Sequence, residues 1–390
     1  MADTPDDNEQ YVNPEDVPGN ATGQDSGPIA GFAIDDIFSA SNIGSIERAI
    51  GNNLFGINHR QISTPVPSNK DQYGLTFFTR PQLNLQNDNL RSYRLMFPLL
   101  TSNVQSMQRF VRTTLDPRLM AGYDFLGGKI PPIKCPMVDP LQAFIPILTN
   151  NLNTISGWPD KVVPTYSSKA GLYKEVYSQV DGINRQYGEY DIDASFRNTR
   201  GDPIIYLLSV WEDYACAVFE GKMSPYLDMI SENEIDYMTR IYRIVLDQSR
   251  DRVTKISACG VAFPTSVPTG SFFDFNKDTP FNDQNKDITI RFHCLGADFG
   301  DTILMKEFNE TVCIFNPDMA DGVRENKMVK ITKNIVRLFN NRGYPRINTS
   351  NNELEWWVTK KMFDDITMAF LNIGLSPDQD DITGTQFNGD

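Results

Sequence analysis

Alternating apolar and polar side chains predict the strands of a mainly antiparallel sheet. The pattern is clearest at residues 190–196, where every second side chain is apolar and the residues between are polar, as in a strand with one buried face. Its apolar positions are Tyr190, Ile192, Ala194 and Phe196, and its polar positions are Asp191, Asp193 and Ser195. Further strands are predicted at 73–80, 238–247, 252–263 and 287–294, the second and third joined as a hairpin by a turn at 248–251.

A helix is predicted directly after the 190–196 strand. Asp202 is a suitable N-cap, Pro203 suits the first helical position, and Gly221 ends the pattern. Between them the apolar residues recur at helical spacing: Ile204, Leu207, Leu208, Trp211, Ala215, Val218 and Phe219. We expect this helix to cover one face of the sheet, with Trp211 in the core.

The C-terminal part shows a different pattern. Residues 326–341 read as an amphipathic helix that Gly343 and Pro345 stop, and residues 353–373 read as a second helix. Two helices joined by about ten residues predict an αα-hairpin at 326–374. The expected fold class is therefore α+β and mainly β: an antiparallel β-sandwich or barrel with one flanking helix, a long insertion and a C-terminal helical hairpin.

The domain organisation follows from shifts in composition. Residues 1–47 are predicted to be an acidic, flexible N-terminal extension, 48–72 an arm and linker, and 375–390 a flexible polar tail. The β domain is expected at 73–325. Within it, residues 98–165 are irregular and rich in proline and glycine, with short helical stretches near 102–112 and 140–152, so we interpret them as an insertion.

Charge is concentrated at one end of the chain. The net charge is −14, and residues 1–47 contain ten Asp or Glu and no Lys or Arg. The remainder is only mildly acidic, so no basic surface for binding nucleic acid is predicted. The N-terminus lacks the basic and apolar regions of a secretory signal, and the apolar runs are too short to cross a bilayer, so we expect a cytoplasmic protein with no membrane partner.

Candidate chemistry is sparse. Five widely spaced cysteines are typical of reduced, buried thiols, and with only His59 and His293 available a zinc site is not expected. Gly127, Gly128 and Lys129 lack the Ser or Thr and the upstream glycine of a phosphate-binding loop, so a turn is expected there. The carboxylate pairs Asp191/Asp193 and Asp380/Asp381 fit a polar strand face and a flexible tail. We therefore predict no enzyme activity, cofactor or metal, although an enzyme whose site leaves no sequence motif stays an alternative.

The order of elements from Tyr190 to Val312 resembles the tail-tube family of tailed bacteriophages. The resemblance lies in the polar-alternating strand, the Gly201-Asp-Pro-Ile turn, the helix around Trp211, the 238–263 hairpin and the closing 287–294 strand. It implies a β-sandwich or barrel of tail-tube type with one flanking helix. In this family, six subunits form a ring, and stacked rings make the passage for DNA.

The resemblance implies a structural subunit of the virion, in the tail tube or baseplate, with itself and other tail proteins as partners. One sheet face would line the passage and should avoid positive charge, and Asp191 and Asp193 are the candidates for that lining. Phe272, Phe273 and Phe275, in the polar loop 264–286, are candidates for the contact to the next ring; the alternative is that they fold back onto their own domain. A neck or capsid connector is the alternative function.

Overall fold

The computed structural model describes residues 73–121, 132–182, 188–274, 277–278, 286–300, 302–332, 335–339 and 342–372. The chain divides into two units, 1–68 and 69–390, and all described residues belong to the second. The predicted N-terminal extension, the arm and linker, the turn at Gly127–Lys129 and the C-terminal tail lie outside the described residues.

A six-stranded antiparallel sheet forms the centre, in the order β1-β6-β7-β8-β5-β2. Its strands are β1 (Tyr73–Phe78), β2 (Leu152–Ser156), β5 (Glu189–Arg197), β6 (Ile241–Leu246), β7 (Val253–Ser266) and β8 (Asp287–Phe299). Two further strands, β3 (Thr165–Ser167) and β4 (Ser178–Val180), form a separate hairpin. The sheet is curled, and β1 and β2 lie at opposite edges without pairing to each other. The predicted antiparallel sheet is confirmed, but as a half-barrel.

One face of the sheet is covered by helices. These are α1 (Asn87–Ser92), α2 (Met107–Leu115), α3 (Arg118–Ala121), α4 (Pro146–Asn151), α5 (Pro203–Phe219) and α6 (Leu227–Glu232), with a 3-10 helix at Arg94–Leu100. The longest, α5, is the predicted flanking helix, and α2 packs against it. Their apolar side chains and those of β5 and β8 form the first core, in which Ile192, Phe196, Ile290 and Phe292 are fully buried.

The segment 98–165 is not a peripheral insertion. Val111, Leu115, Ile145 and Leu148 belong to the first core, and the segment also supplies edge strand β2. Because its helices are short and separated by prolines and glycines, its periodicity was too brief to show that it packs on the sheet. The prediction of helices near 102–112 and 140–152 holds for α2 and α4 with shifted ends.

Strands β1 and β6 and the first part of β7, residues 253–259, are covered on both faces. Successive residues of a strand point to opposite faces, and the neighbours Phe77 and Phe78 belong to different cores, as do Ala258 and Cys259. The second core is closed by α7 (Thr302–Phe315), through Leu304, Met305, Phe308 and Val312. This helix was not predicted, although these four residues recur at helical spacing.

The predicted helical hairpin at 326–374 is wrong. After a short 3-10 turn (Pro317–Met319) and α8 (Arg324–Lys327), the chain forms β9 (Met328–Ile331), a 3-10 turn (Val336–Phe339), β10 (Tyr344–Asn348) and β11 (Glu353–Thr359). The three strands make an antiparallel sheet in the order β10-β11-β9, and the predicted helical character is retained in α9 (Lys360–Asn372).

Cross-strand pairing explains this outcome. Glu355 on the central strand β11 accepts hydrogen bonds from Lys330 of β9 at 3.1 Å and from Arg346 of β10 at 3.3 Å. Burial opposes ionisation of Glu355, but hydrogen bonds from Asn348, the Trp357 indole and Lys330 hold its pKa below the usual value. Such contacts between distant segments leave no periodic signal, and they override the local helical pattern.

Helix α5 is anchored by Trp211. The indole is fully buried, and its Nε1–H donates to the backbone oxygen of Tyr237 at 2.7 Å. Asp202 stands at the predicted N-cap position, but it has a left-handed backbone and its side chain makes no cap bond. Its carboxylate instead accepts a hydrogen bond from Asn198 at 2.7 Å, which fixes the preceding turn.

Two carboxyl groups are buried beside the first core. Asp116 accepts hydrogen bonds from the Tyr226 hydroxyl at 2.7 Å and from the Leu85 amide at 2.9 Å. Asp236 accepts a hydrogen bond from the Tyr214 hydroxyl. The same hydroxyl oxygen accepts a hydrogen bond from the backbone amide of Asn84 at 3.1 Å. Burial raises the pKa of each of the two carboxyl groups to about 6, although these hydrogen bonds oppose the shift.

Replacing Trp211 by alanine should lower the free energy of unfolding by about 3–5 kcal/mol, because it removes a large side chain from a filled core. Phe219, on the same helix, is 93% exposed. Phe219→Ala is therefore the matched control, and its effect should stay within about 0.5 kcal/mol. Chemical denaturation measures both, and equal stability of Trp211→Ala and wild type would contradict the assigned packing.

Stability should depend on the protonation of Asp116. Its folded pKa of about 6 lies above the ordinary value of 3.8, so the folded state binds the proton more tightly. This contribution is present below about pH 4 and is lost as the pH rises through about 6, a change on the order of 3 kcal/mol. Asp116→Asn should flatten the fall of unfolding free energy between pH 4 and 6 relative to wild type. Identical slopes would contradict the prediction.

Candidate assembly surface

The face of β5 and β8 that points away from the first core is open to solvent. Directly opposed residues on this open face form charged pairs: Asp191 faces His293, and Asp193 faces Arg291. The Arg291 guanidinium donates to both carboxylate oxygens of Asp193, at 2.9 and 3.3 Å. Asp191 Oδ1 lies 2.9 Å from His293 Nδ1. The structure therefore places both predicted lining carboxylates together on an accessible polar face.

The open face carries charges of both signs. The hydrogen bond from Arg291 and its charge hold the pKa of Asp193 below the usual value, and the same contact raises the pKa of Arg291. The two groups therefore stay ionised together over the neutral range, and their charges offset each other. The sequence pattern showed that position 291 points outward, but the pairing register is what sets it against Asp193.

Aromatic and apolar side chains border the charged pairs. The Phe263 ring of β7 meets the His293 ring edge-on at 5.6 Å between centroids, and the Tyr237 ring meets Phe263 in the same manner at 5.9 Å. Leu295, the next outward residue of β8, is exposed. A face that combines paired charges with half-buried rings and an exposed leucine has the mixed composition of a protein interface.

Among the described residues, both edges of the sheet carry backbone groups that no strand pairs with. At β2 the described strands pair on one side only, through β5. At β1 the far end is covered, because the Ile145 amide donates to the Phe78 oxygen at 2.8 Å and the Arg80 amide to the Ala143 oxygen at 2.9 Å. The stretch from Tyr73 to Phe77 pairs only with β6 among the described strands. Such edges are templates for strands of another chain.

The loop after β7 is described in part. A 3-10 turn at Gly270–Phe273 places the Phe273 ring in solvent, 87% exposed. The choice between a contact to the next ring and packing onto the same domain concerns all three rings together. The Phe272 side chain and all of Phe275 lie outside the described part of the chain, so their role in a ring contact stays a prediction.

Among the described residues no cluster of three or more His, Cys, Asp or Glu could hold a metal ion. No helix in the described ranges has the length and apolar character needed to span a membrane. Of the cysteines, Cys135, Cys259 and Cys294 are buried as predicted, Cys313 is half-buried, and Cys216 is exposed on α5, contrary to prediction.

Comparison with known proteins identifies the family. The family model described as "Putative phage tail tube protein" matches residues 30–371, which is most of the chain. The chain belongs to this family of phage tail tube proteins, and the family resemblance seen in the sequence is confirmed. A phage tail protein is a component of the virion, and membership of a structural family suggests a non-enzymatic role.

Three solved structures are also similar to part of the chain. The cap that terminates the tube of the anti-feeding prophage is 14% identical to this chain. The match covers 40% of this chain and 82% of the cap chain, with a TM-score of 0.24. The sheath-tube complex of an extracellular contractile injection system in the extended state has the same identity and coverage and a TM-score of 0.23. The sheath/tube terminator of that system in the extended state is 12% identical. The match covers 38% of this chain and 85% of the terminator chain, with a TM-score of 0.23. No curated protein sequence matches the chain.

Proposed function

We propose that the chain forms closed, six-fold rings of the tail tube or baseplate, joined through the edges of its central sheet. The observation that carries this proposal is the pair of incompletely paired edges, β1 and β2, at opposite ends of one curled sheet. A contact between two different surfaces of one subunit repeats head to tail, and it closes into a ring when the rotation per subunit allows. Closure satisfies the edge amide and carbonyl groups of every subunit, and no free edge is left for aggregation.

The open face of β5 and β8 is the proposed lining of the passage for DNA. Duplex DNA carries one negative charge per about 1.7 Å of its axis, so unpaired lysines or arginines on a wall would bind it. Arg291 is held by both oxygens of Asp193. In this arrangement Asp193 removes the attraction that a free guanidinium would exert on phosphate, and Asp191 adds a second carboxylate. The proposed lining is therefore close to neutral locally and does not retain DNA.

Phe273 is the proposed contact to the next ring, together with Phe272 and Phe275 of the same loop. An aromatic side chain that is exposed in the subunit and buried on association supplies much of the binding free energy of an interface. Before assembly, the subunit is expected in the host cytoplasm, where other tail proteins join it.

Electron microscopy of the purified full-length chain under assembly conditions tests the ring directly. Averaged end views should show six-fold rings with a central passage. Twelve-fold rings would favour the neck connector, and a chain that stays monomeric at all concentrations would overturn the proposal. Turnover of a small substrate by the purified chain would instead favour an enzyme.

Reversing the charge of the proposed lining should make assembled rings retain DNA. In Asp191→Lys/Asp193→Lys, Arg291 loses its carboxylate partner and two new cations join it on the open face. Linear duplex DNA should then co-sediment with variant assemblies, and the bound fraction should fall as the salt concentration rises. DNA should not co-sediment with wild-type assemblies. The matched control is Asp88→Lys/Glu232→Lys, which places the same charge on exposed positions of α1 and α6. Equal DNA retention by both variants would contradict the lining.

Replacing Phe272, Phe273 and Phe275 together by serine should leave a folded subunit that forms single rings but does not stack. Circular dichroism reports folding, and the length of assemblies in electron micrographs reports stacking. A variant that unfolds would assign the loop to the core, and one that stacks normally would show that another surface joins the rings.

A further inference from the structure

The connection between β2 and β5 forms a projecting hairpin, residues 161–180, which we call the hairpin arm. Thr165 pairs with Val180 and Ser167 with Ser178. Beyond these strands the Ser168 amide donates to the Tyr177 oxygen at 2.8 Å, and the Gly171 amide to the Glu175 oxygen at 2.9 Å. The hydrogen bonds continue to the tip, so the arm has a defined shape along its length.

The arm exposes an unusual amount of apolar surface. Leu172, Tyr173 and Tyr177 are 89%, 86% and 79% exposed, and five further large side chains are exposed: Val162, Val163, Tyr166, Val176 and Val180. Every residue of the arm except Pro164 and Ser168 is exposed, so neither face of the hairpin is covered. A two-stranded hairpin without a covered face is marginally stable in water, and a contiguous apolar surface of this kind marks an interaction site.

The charge of the arm differs from that of the chain as a whole. The arm contains Lys161, Lys169 and Lys174 against one acidic residue, Glu175, while the whole chain has a net charge of −14. An arm with a net positive charge and an apolar tip is therefore complementary to the acidic remainder of an identical chain. Complementary charge favours encounter and selects the partner, while apolar side chains supply affinity.

The position of the arm in the fold points to the same partner. It leaves the sheet directly after edge strand β2 and returns into β5, the only described strand that pairs with β2. The arm and the β2 edge are therefore neighbours along the chain, and both are exposed to a second copy.

We propose that the hairpin arm binds a second copy of this chain, with Leu172, Tyr173 and Tyr177 buried as anchors in the partner subunit. The proposal rests on the proposed ring assembly and names the segment that carries a subunit contact. It is distinct from the predicted contact through Phe272, Phe273 and Phe275, which lies in the connection between β7 and β8.

Site-specific photocrosslinking tests the partner of the arm. A benzoylphenylalanine at position 173 of the full-length chain should give a covalent dimer on irradiation under assembly conditions, and mass spectrometry should locate the joined peptide on a second copy. Crosslinks within one chain only would overturn the proposal, as would crosslinks to added lipid vesicles or to another tail protein without any dimer.

Substitution of the anchors gives an independent measurement. Leu172→Ser/Tyr173→Ser/Tyr177→Ser should keep the thermal unfolding midpoint of the monomer, because these side chains are exposed, and should weaken self-association at least tenfold in analytical ultracentrifugation. Phe219→Ser removes an equally exposed ring from α5 and should associate as wild type does. The proposal would be overturned if the triple variant self-associated as strongly as wild type. It would also be overturned if Phe219→Ser weakened self-association as much as the triple variant does.

The same experiments separate this proposal from the ring itself. Dimers crosslinked through position 173 without rings in electron micrographs would support the arm and overturn the ring. Six-fold rings without such dimers would support the ring and overturn the arm.

Discussion

At Gly296 the alternation of buried side chains along β8 shifts by one residue, and the arrangement of the two cores depends on this shift. Ile288, Ile290, Phe292 and Cys294 are buried at every second position, and the next buried residue is Ala297. Gly296 has a φ of +71°, which residues with a side chain rarely adopt. On the facing strand, a Cβ at Gly260 would lie 2.9 Å from the Leu295 oxygen, so the two backbones approach closely there. Glycine at both positions allows the sheet to bend between its two halves.

The bend divides the sheet into a half covered on both faces and a half covered on one. Strands β1 and β6 and the part of β7 before Gly260 lie between the first core and the second core, which α7 closes. Strands β5 and β8 have only the helical side covered, so their charged pairs face solvent beside the half-buried ring of Phe263. Covering one half of the sheet stabilises the subunit, and leaving the other half and the β2 edge open provides surfaces that a neighbour can use.

Buried polar contacts tie the segment 98–165 to the sheet. Arg80, at the end of β1, is buried and donates hydrogen bonds to the backbone oxygens of Thr113, Thr114 and Gln142. Burial lowers the pKa of Arg80 to about 10, with the charges of Asp116 and Asp139 opposing the shift, so the guanidinium stays charged at neutral pH. A buried arginine that lost these acceptors would leave an uncompensated charge, which is strongly destabilising. The contacts therefore fix the position of α2 relative to β1.

Local patterns determined the elements whose signal is complete within one segment. The alternation in 190–196 determined β5 and its polar face, and the spacing around Trp211 determined α5, because one uninterrupted period of apolar residues leaves few alternative structures. The order of elements from Tyr190 to Val312, with the motifs in it, also showed the resemblance to the family. In contrast, the helical spacing of Met328 and Ile331 and of Leu354 and Val358 did not determine helices, because Lys330, Arg346 and Glu355 meet only when three distant strands pair. Tertiary structure alone set Arg291 against Asp193 and projected the hairpin arm from the β2 edge, because pairing register and exposure are relations between segments that no single segment encodes.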